Sequence, residues 1–248
     1  MNFKDKVVVI TGAGQGIGEG YAKRCADEGM KVVVAELNEV QGQRVADEIK
    51  AAGGEALFVK TDVGDEQSCK DCAAKADEVY GGIDYLINNA AIFGNMKIQG
   101  YLDVDFDYLE TFMRVNAHGC VLMTRACYRS MQKRGGGAIV NQSSTAAWMN
   151  MGFYGVAKLA MNGITGSLAR ELGPRNIRIN AIAPGPTDTQ ALANTAGDYA
   201  KEIVKTMPLA RLGTTKDMAD AVLSLLSDQA EWITGTILNV DGGNFMRV

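Results

Sequence analysis

Short, nearly unbroken apolar runs alternate along this chain with longer segments whose apolar residues recur every three or four positions. The runs at 6–11, 31–36, 56–61, 85–88, 138–141, 178–182 and 236–240 are rich in Val, Ile and other apolar residues, which predicts seven strands. The periodic segments predict helices over 15–28, 39–52, 105–134, 154–172 and 215–226, and one running from an N-cap at Asp65 to residue 80. Gly29, Gly53, Gly81 and Gly135 supply stops. Regular β-α alternation calls for parallel strands joined by right-handed crossovers. Strands apolar on both sides call for helices on both faces. The expectation is an α/β fold with a doubly wound, seven-stranded parallel sheet, formed by residues 1–248 as a single domain. Residues 186–207 break the rhythm; their Thr, Ala, Asn and Gly content predicts a mobile flap.

Composition narrows the functional classes. The net charge of −4 over 248 residues offers no basic field for nucleic acid or an anionic membrane. No run of about 18 uncharged apolar residues exists to span a bilayer. The chain enters a strand-like segment within a few residues, without an apolar signal region, and its five cysteines are odd in number. Both features predict reduced thiols in a cytoplasmic protein. Cys69 and Cys72 form a C-x-x-C with no second pair, and read as small residues on a helix. His118 is the only histidine and no carboxylate cluster has ligand spacing, so no metal site is expected.

The first strand runs into Thr11-Gly-Ala-Gly-Gln-Gly-Ile-Gly18. Glycines let backbone approach a pyrophosphate, and the helix start that follows favours its charge. The spacing is G-x-x-x-G-x-G, at Gly12, Gly16 and Gly18, and no Lys-Ser or Lys-Thr follows to suggest a triphosphatase. Glu36 ends the second strand, where an acid accepts hydrogen bonds from an adenosine ribose. It would repel a 2′-phosphate, and the turn carries Gln15 rather than a base, so nothing nearby compensates that phosphate. The pair predicts NAD over NADP on a Rossmann-like sheet.

With these motifs in place, the chain resembles the short-chain dehydrogenases/reductases of about 250 residues, nearly end to end. Thr11 to Gly18 resembles that family's glycine turn. Asp62 and Val63 resemble its adenine-contacting pair, and Asn88 to Ala91 its N-N-A-G, with Ala91 in place of the commoner Gly. Asn116, Ser144, Tyr154 and Lys158 resemble its catalytic tetrad. Pro184, Gly185, Thr187 and Thr189 resemble its nicotinamide-carboxamide loop, and Asp241 to Gly243 its C-terminal signature. The resemblance implies cofactor contacts at Gly12, Gly16, Ile17, Gly18, Glu36, Asp62, Val63, Asn89, Ala90, Tyr154, Lys158, Pro184, Gly185, Thr187 and Thr189. It also implies a homotetramer joined through the 105–134 and 154–172 helices and the C-terminal strand region. The Ser-to-Tyr gap of ten residues is shorter than usual in the family, and Ser143 competes with Ser144; the run Ile-Val-Asn-Gln-Ser-Ser aligns its second Ser with the family's.

Tyr154 and Lys158 lie four apart in a helical pattern and share one face. A free tyrosine, with a pKa of about 10, is a poor base near neutrality, and a neighbouring ammonium favours its phenolate. Ser144, past the fifth strand, can stabilise charge on a substrate oxygen. Asn116 is implied by the resemblance to hold a water linking Lys158 to solvent. Phe93, Trp148, Met149, Met151 and Phe153 could line an apolar pocket or pack in the core. The expected function is NAD-dependent interconversion of a small, fairly apolar secondary alcohol and its ketone. Reduction of a 3-oxoacyl carrier-protein thioester is the alternative, with Arg125, Arg129 and Arg134 as a docking patch. A non-catalytic NAD-binding sensor is the alternative of another class.

Overall fold

The computed structural model describes residues 3–196 and 199–246. Its strands β1 (Val7–Thr11), β2 (Lys31–Glu36), β3 (Glu55–Lys60), β4 (Tyr85–Asn88), β5 (Gly137–Gln142), β6 (Ile177–Pro184) and β7 (Ile237–Val240) form one sheet in the order β3-β2-β1-β4-β5-β6-β7. Every pair is parallel, with Val8 opposite Val32 on one side and Tyr85 on the other. All five residues of β1 are buried, and their side chains alternate between faces. Val8 and Ile10 join one core with α1 (Gly16–Asp27), α2 (Glu39–Ala51) and α9 (Thr215–Leu226). Val7 and Val9 join the other with α3 (Glu66–Tyr80), α5 (Gly119–Lys133) and α6 (Gly152–Leu172). Each such Val or Ile contributes roughly 1.5–3 kcal/mol on burial. The two cores explain why the strands read as unbroken apolar runs.

The winding runs outward from β1 to β3, then resumes on the opposite side at β4. That reversal opens a crevice beyond the carboxyl ends of β1 and β4, where open α/β sheets bind ligands. Asp65 caps α3 by accepting from the Ser68 N–H at 2.7 Å, as its position before the periodic segment implies. The 105–134 segment is helical, but not uniformly so. It comprises α4 (Phe106–Met113), a π-helical turn over Arg114–His118, and α5. The 186–207 segment, expected to be an irregular flap, contains two short helices, α7 (Gln190–Ala196) and α8 (Tyr199–Thr206). Residues 197 and 198 of that expected flap lie outside the described residues.

The five cysteines are free and buried. Cys69 and Cys72 pack in the second core, and burial pushes their thiols up to about 12 and about 11. They behave as small apolar residues, as the sequence suggests. No helix among the described residues is long and apolar enough to cross a membrane.

Candidate active site

The glycine turn is built around Thr11, the last residue of β1. Its hydroxyl accepts from the N–H groups of Asn89 and Ala90, both at 3.0 Å. The Asn89 amide donates back to the Thr11 and Gly12 carbonyls at 2.9 Å each. Asn89, implied by resemblance as a cofactor contact, therefore spends its amide holding the turn to β4. Gly12 and Gly16 sit at φ +64 and +56, the left-handed region glycine tolerates. A Cβ at Gly18 would overlap the Gly12 carbonyl oxygen, so α1 can begin this close to the turn only with glycine there. A Cβ on Gly16, by contrast, would have only the Thr189 methyl near it, at 4.0 Å. Open space over the start of α1 is what a pyrophosphate needs.

Glu36 reaches back across this turn. One carboxylate oxygen accepts from the Gly14 N–H and the other from the Asn38 N–H, each at 3.0 Å. The expectation that nothing basic stands near the turn needs correction. Arg44, on α2, donates from Nη2 to the Gly14 carbonyl at 3.0 Å. Its position in the sequence, eight residues past Glu36, hides a proximity that the return of α2 over the turn creates. Asp62 lies exposed beyond β3, accepting from the Gly64 N–H at 2.8 Å, while Val63 is buried.

The second half of the site lies beyond β5 and β6. Ser144 caps a 3-10 turn over Thr145–Trp148, its Oγ accepting from the Ala146 N–H at 3.2 Å. The Ser144 side chain lies beside the Tyr154 hydroxyl and favours its ionised form. Ser143 is buried and donates to the Lys158 carbonyl at 3.4 Å, away from Tyr154. The geometry thus separates the two serines that compete in the sequence. The Tyr154 ring rests against Phe93, centroids 5.1 Å apart. Lys158, 2% exposed, places Nζ 5.9 Å from the Tyr154 ring centroid and donates to the Gln142 carbonyl at 2.8 Å. Asn116 stands in the π-helical turn, fully buried. Its Nδ2 donates to the Ile92 carbonyl at 3.3 Å, and its Oδ1 has no partner. A buried acceptor left open in this way fits a bound water or ligand.

Beneath these residues the Asn88 amide donates to Asn141 at 2.8 Å, and Asn141 to the Thr165 hydroxyl at 2.9 Å. This buried chain ties β4, β5 and α6 together under the site. It has no signature in the sequence beyond two polar residues ending apolar strands. The Thr145 hydroxyl donates to the Pro184 carbonyl at 3.3 Å, joining the Ser144 loop to the end of β6. A Cβ at Gly185 would lie 2.6 Å from that of Asp241, so the loop passes close to the C-terminal turn. Thr187 donates to the Gly185 carbonyl at 3.0 Å, and the Thr189 hydroxyl lies 3.4 Å from the Thr187 carbonyl. Of the candidate pocket aromatics, Phe153 is core, packed on Phe112 and Ala117. Trp148 stacks on Phe245 at 6.0 Å.

Burial pushes the Tyr154 phenol up to about 12, the reverse of the lowering expected from Lys158, and Ser144 only partly offsets the rise. Burial likewise pulls Lys158 down to about 8. Between about pH 8 and the unfolded lysine value near 10.4, the unfolded chain holds a proton that the folded chain has released. The cost of burying the ammonium is therefore present below pH 8 and relieved as pH rises through that window. Relative to the wild type, Lys158→Met should be more favourable at pH 7 than at pH 9.5 by about 1–3 kcal/mol. Urea unfolding at the two pH values measures this; a pH-independent difference would contradict it.

The comparisons agree with this geometry. A family model described as enoyl-(acyl carrier protein) reductase matches residues 12–244. An uncharacterized oxidoreductase of Mycobacterium tuberculosis is 54% identical over 246 residues, 99% of either chain. A 2,5-dichloro-2,5-cyclohexadiene-1,4-diol dehydrogenase of Sphingobium indicum is 36% identical, covering 96% of this chain and 95% of its own. The solved structure of a 7α-hydroxysteroid dehydrogenase, complexed with NADH and 7-oxoglycochenodeoxycholic acid, superposes with a TM-score of 0.90. It is 33% identical over 98% of this chain and 96% of that one. The chain belongs to the short-chain dehydrogenase/reductase family. It is an oxidoreductase of that family on a Rossmann fold, which implies a nicotinamide cofactor. The glycine cradle and the open space over Gly16 fit such a dinucleotide.

Proposed function

We propose that this protein is an NAD(H)-dependent oxidoreductase that interconverts a small, fairly apolar secondary alcohol and its ketone. Tyr154 acts as general acid/base in this reading. The observation that carries it is Lys158 buried beside the Tyr154 ring, with Ser144 at the Tyr154 hydroxyl. When bound, the nicotinamide supplies the hydride acceptor or donor. In the oxidative direction, the phenolate oxygen of Tyr154 takes the hydroxyl proton of the alcohol. The C–H bond breaks, its electron pair leaving as hydride, and the carbonyl forms. The Ser144 hydroxyl donates to the substrate oxygen as charge shifts on it. The Lys158 ammonium and the positive charge of an oxidised nicotinamide would both favour the phenolate against the burial that disfavours it. Asn116 offers its open Oδ1 to a water on the way to solvent.

The apolar character of the substrate is supported by Phe93 against the Tyr154 ring and by the Trp148–Phe245 stack near Ser144. Relatives that act on a ring diol and on a hydroxysteroid support the same class. The 186–207 segment closes over the substrate in this reading, with Thr189 at its root beside Gly16. Assembly is a homotetramer. Exposed Val156 and Leu159 on α6, and Trp232, Leu238 and Met246 around β7, are apolar surface suited to two interfaces. Sedimentation of a stable micromolar monomer would contradict the assembly.

One feature favours the carrier-protein alternative. Tyr128, Arg129, Gln132, Lys133 and Arg175 line an open, basic depression on the surface. Of the expected patch, Arg134 pairs instead with buried Asp84 and Arg125 with Glu66, at 2.8 and 3.4 Å. An NAD-reduction screen over secondary alcohols, ring diols, hydroxysteroids and hydroxyacids tests the proposal. Turnover of a secondary or ring alcohol is expected. Failure with all of them, beside NADPH-dependent reduction of a 3-oxoacyl thioester, would overturn it.

A further inference from the structure

Arg44 and Glu36 engage opposite ends of one residue in the glycine turn. The Gly14 N–H donates to Glu36, and the Gly14 carbonyl accepts from Arg44, each at 3.0 Å. A guanidinium, the group best matched to a phosphate, is thus already present at the ribose side of the turn. It is fully engaged. Its Nη2 and Nη1 donate to the two carboxylate oxygens of Glu19 at 2.7 and 3.2 Å. Nη1 also reaches Glu48 at 2.8 Å, and Nε reaches Gln41 at 2.9 Å. Lys23 closes the group, 2.6 Å from Glu19 and 2.7 Å from Glu48. Two carboxylates and two cations cancel, so this cluster presents almost no net field to an incoming anion.

We propose that two acids, Glu36 and Glu19, jointly set the cofactor preference. Glu36 repels a 2′-phosphate, and Glu19 holds Arg44 in a fork that keeps it from pairing with one. The inference rests on the NAD(H) reading and adds a specificity-determining pair to it. A bidentate carboxylate–guanidinium bond is among the stronger polar contacts, so Arg44 does not exchange partners unaided. Glu19 lies in the first turn of α1, where the helix dipole favours its charge. The side chains of Arg44 and Glu19 remain 37% and 21% exposed, so a phosphate can reach the fork once Glu19 is gone.

Removing Glu36 alone takes away repulsion and supplies no partner. Removing both acids releases Arg44 from the Glu19 fork, with Glu48 still on Nη1, and leaves the cluster with a net positive charge. The two substitutions should therefore couple rather than add. Calorimetric titration of the cofactor-free full chain with 2′,5′-ADP and with 5′-AMP isolates the 2′-phosphate. Wild type should favour 5′-AMP by about tenfold or more. Glu36→Ala should recover a few-fold of 2′,5′-ADP affinity, and Glu36→Ala with Glu19→Ala about tenfold more. Adding Arg44→Ala to that pair should erase the second gain. Glu36→Ala should weaken 5′-AMP by the one carboxylate–ribose contact it removes. Affinity for 5′-AMP should then stay constant as the Glu19 and Arg44 substitutions are added, which reports an intact turn; Glu19→Gln serves if Glu19→Ala disturbs it. Equal binding of both nucleotides by wild type would overturn the NAD(H) reading itself. Full recovery from Glu36→Ala alone, or a second gain that survives Arg44→Ala, would overturn the Glu19 proposal and leave that reading standing.

Discussion

Tyr154→Phe should lower kcat for alcohol oxidation by roughly 10²–10⁴-fold, the range general acid–base catalysis contributes. The ring keeps its packing against Phe93, and only the hydroxyl beside Ser144 is lost. NAD affinity and thermal stability should therefore change little. Single-turnover hydride transfer, followed by nicotinamide absorbance and set beside NAD binding by calorimetry, separates lost chemistry from lost binding. A variant with unimpaired turnover would remove Tyr154 from the proton-transfer step. A variant that loses turnover and NAD binding together would give the hydroxyl a structural role instead.

Much of the architecture is legible in the chain because its two cores leave a clear imprint. A strand buried on both faces, such as Val7–Thr11, admits no polar alternation, and the 31–36, 85–88 and 215–226 segments coincide with β2, β4 and α9. The π-helical turn at Arg114–His118 leaves no such imprint. A shift in backbone hydrogen bonding barely alters the side-chain period, so 105–134 reads as one helix. Helices α7 and α8, of 7 and 8 residues, are too short to reveal a stripe. In the site, Ser144, Tyr154 and Lys158 are visible as residue types at telling spacings, and the structure brings them together. Arg44 is not visible, because its approach to Gly14 depends on how α2 folds back over the turn. The Asn88–Asn141–Thr165 chain is hidden for the same reason: three polar residues on three elements meet only in the fold. Phe153 shows the converse, an aromatic beside Tyr154 that the core claims.

Cofactor choice should favour NAD over NADP by about tenfold to a hundredfold in kcat/KM. The Glu36 carboxylate is fixed against the turn by the N–H groups of Gly14 and Asn38, so in the proposed reading it has little freedom to retreat from a 2′-phosphate. Like charges held this close cost several kcal/mol, and the Arg44 guanidinium at the turn is engaged by Glu19. A ribose 2′-hydroxyl, in contrast, can donate to the same carboxylate. The most direct measurement is a side-by-side kcat/KM for NAD and NADP with the best alcohol from the screen, using wild-type enzyme. The expected result is turnover with NAD and at least tenfold weaker use of NADP. Equal values, or a preference for NADP, would contradict the assignment and favour the carrier-protein reductase reading.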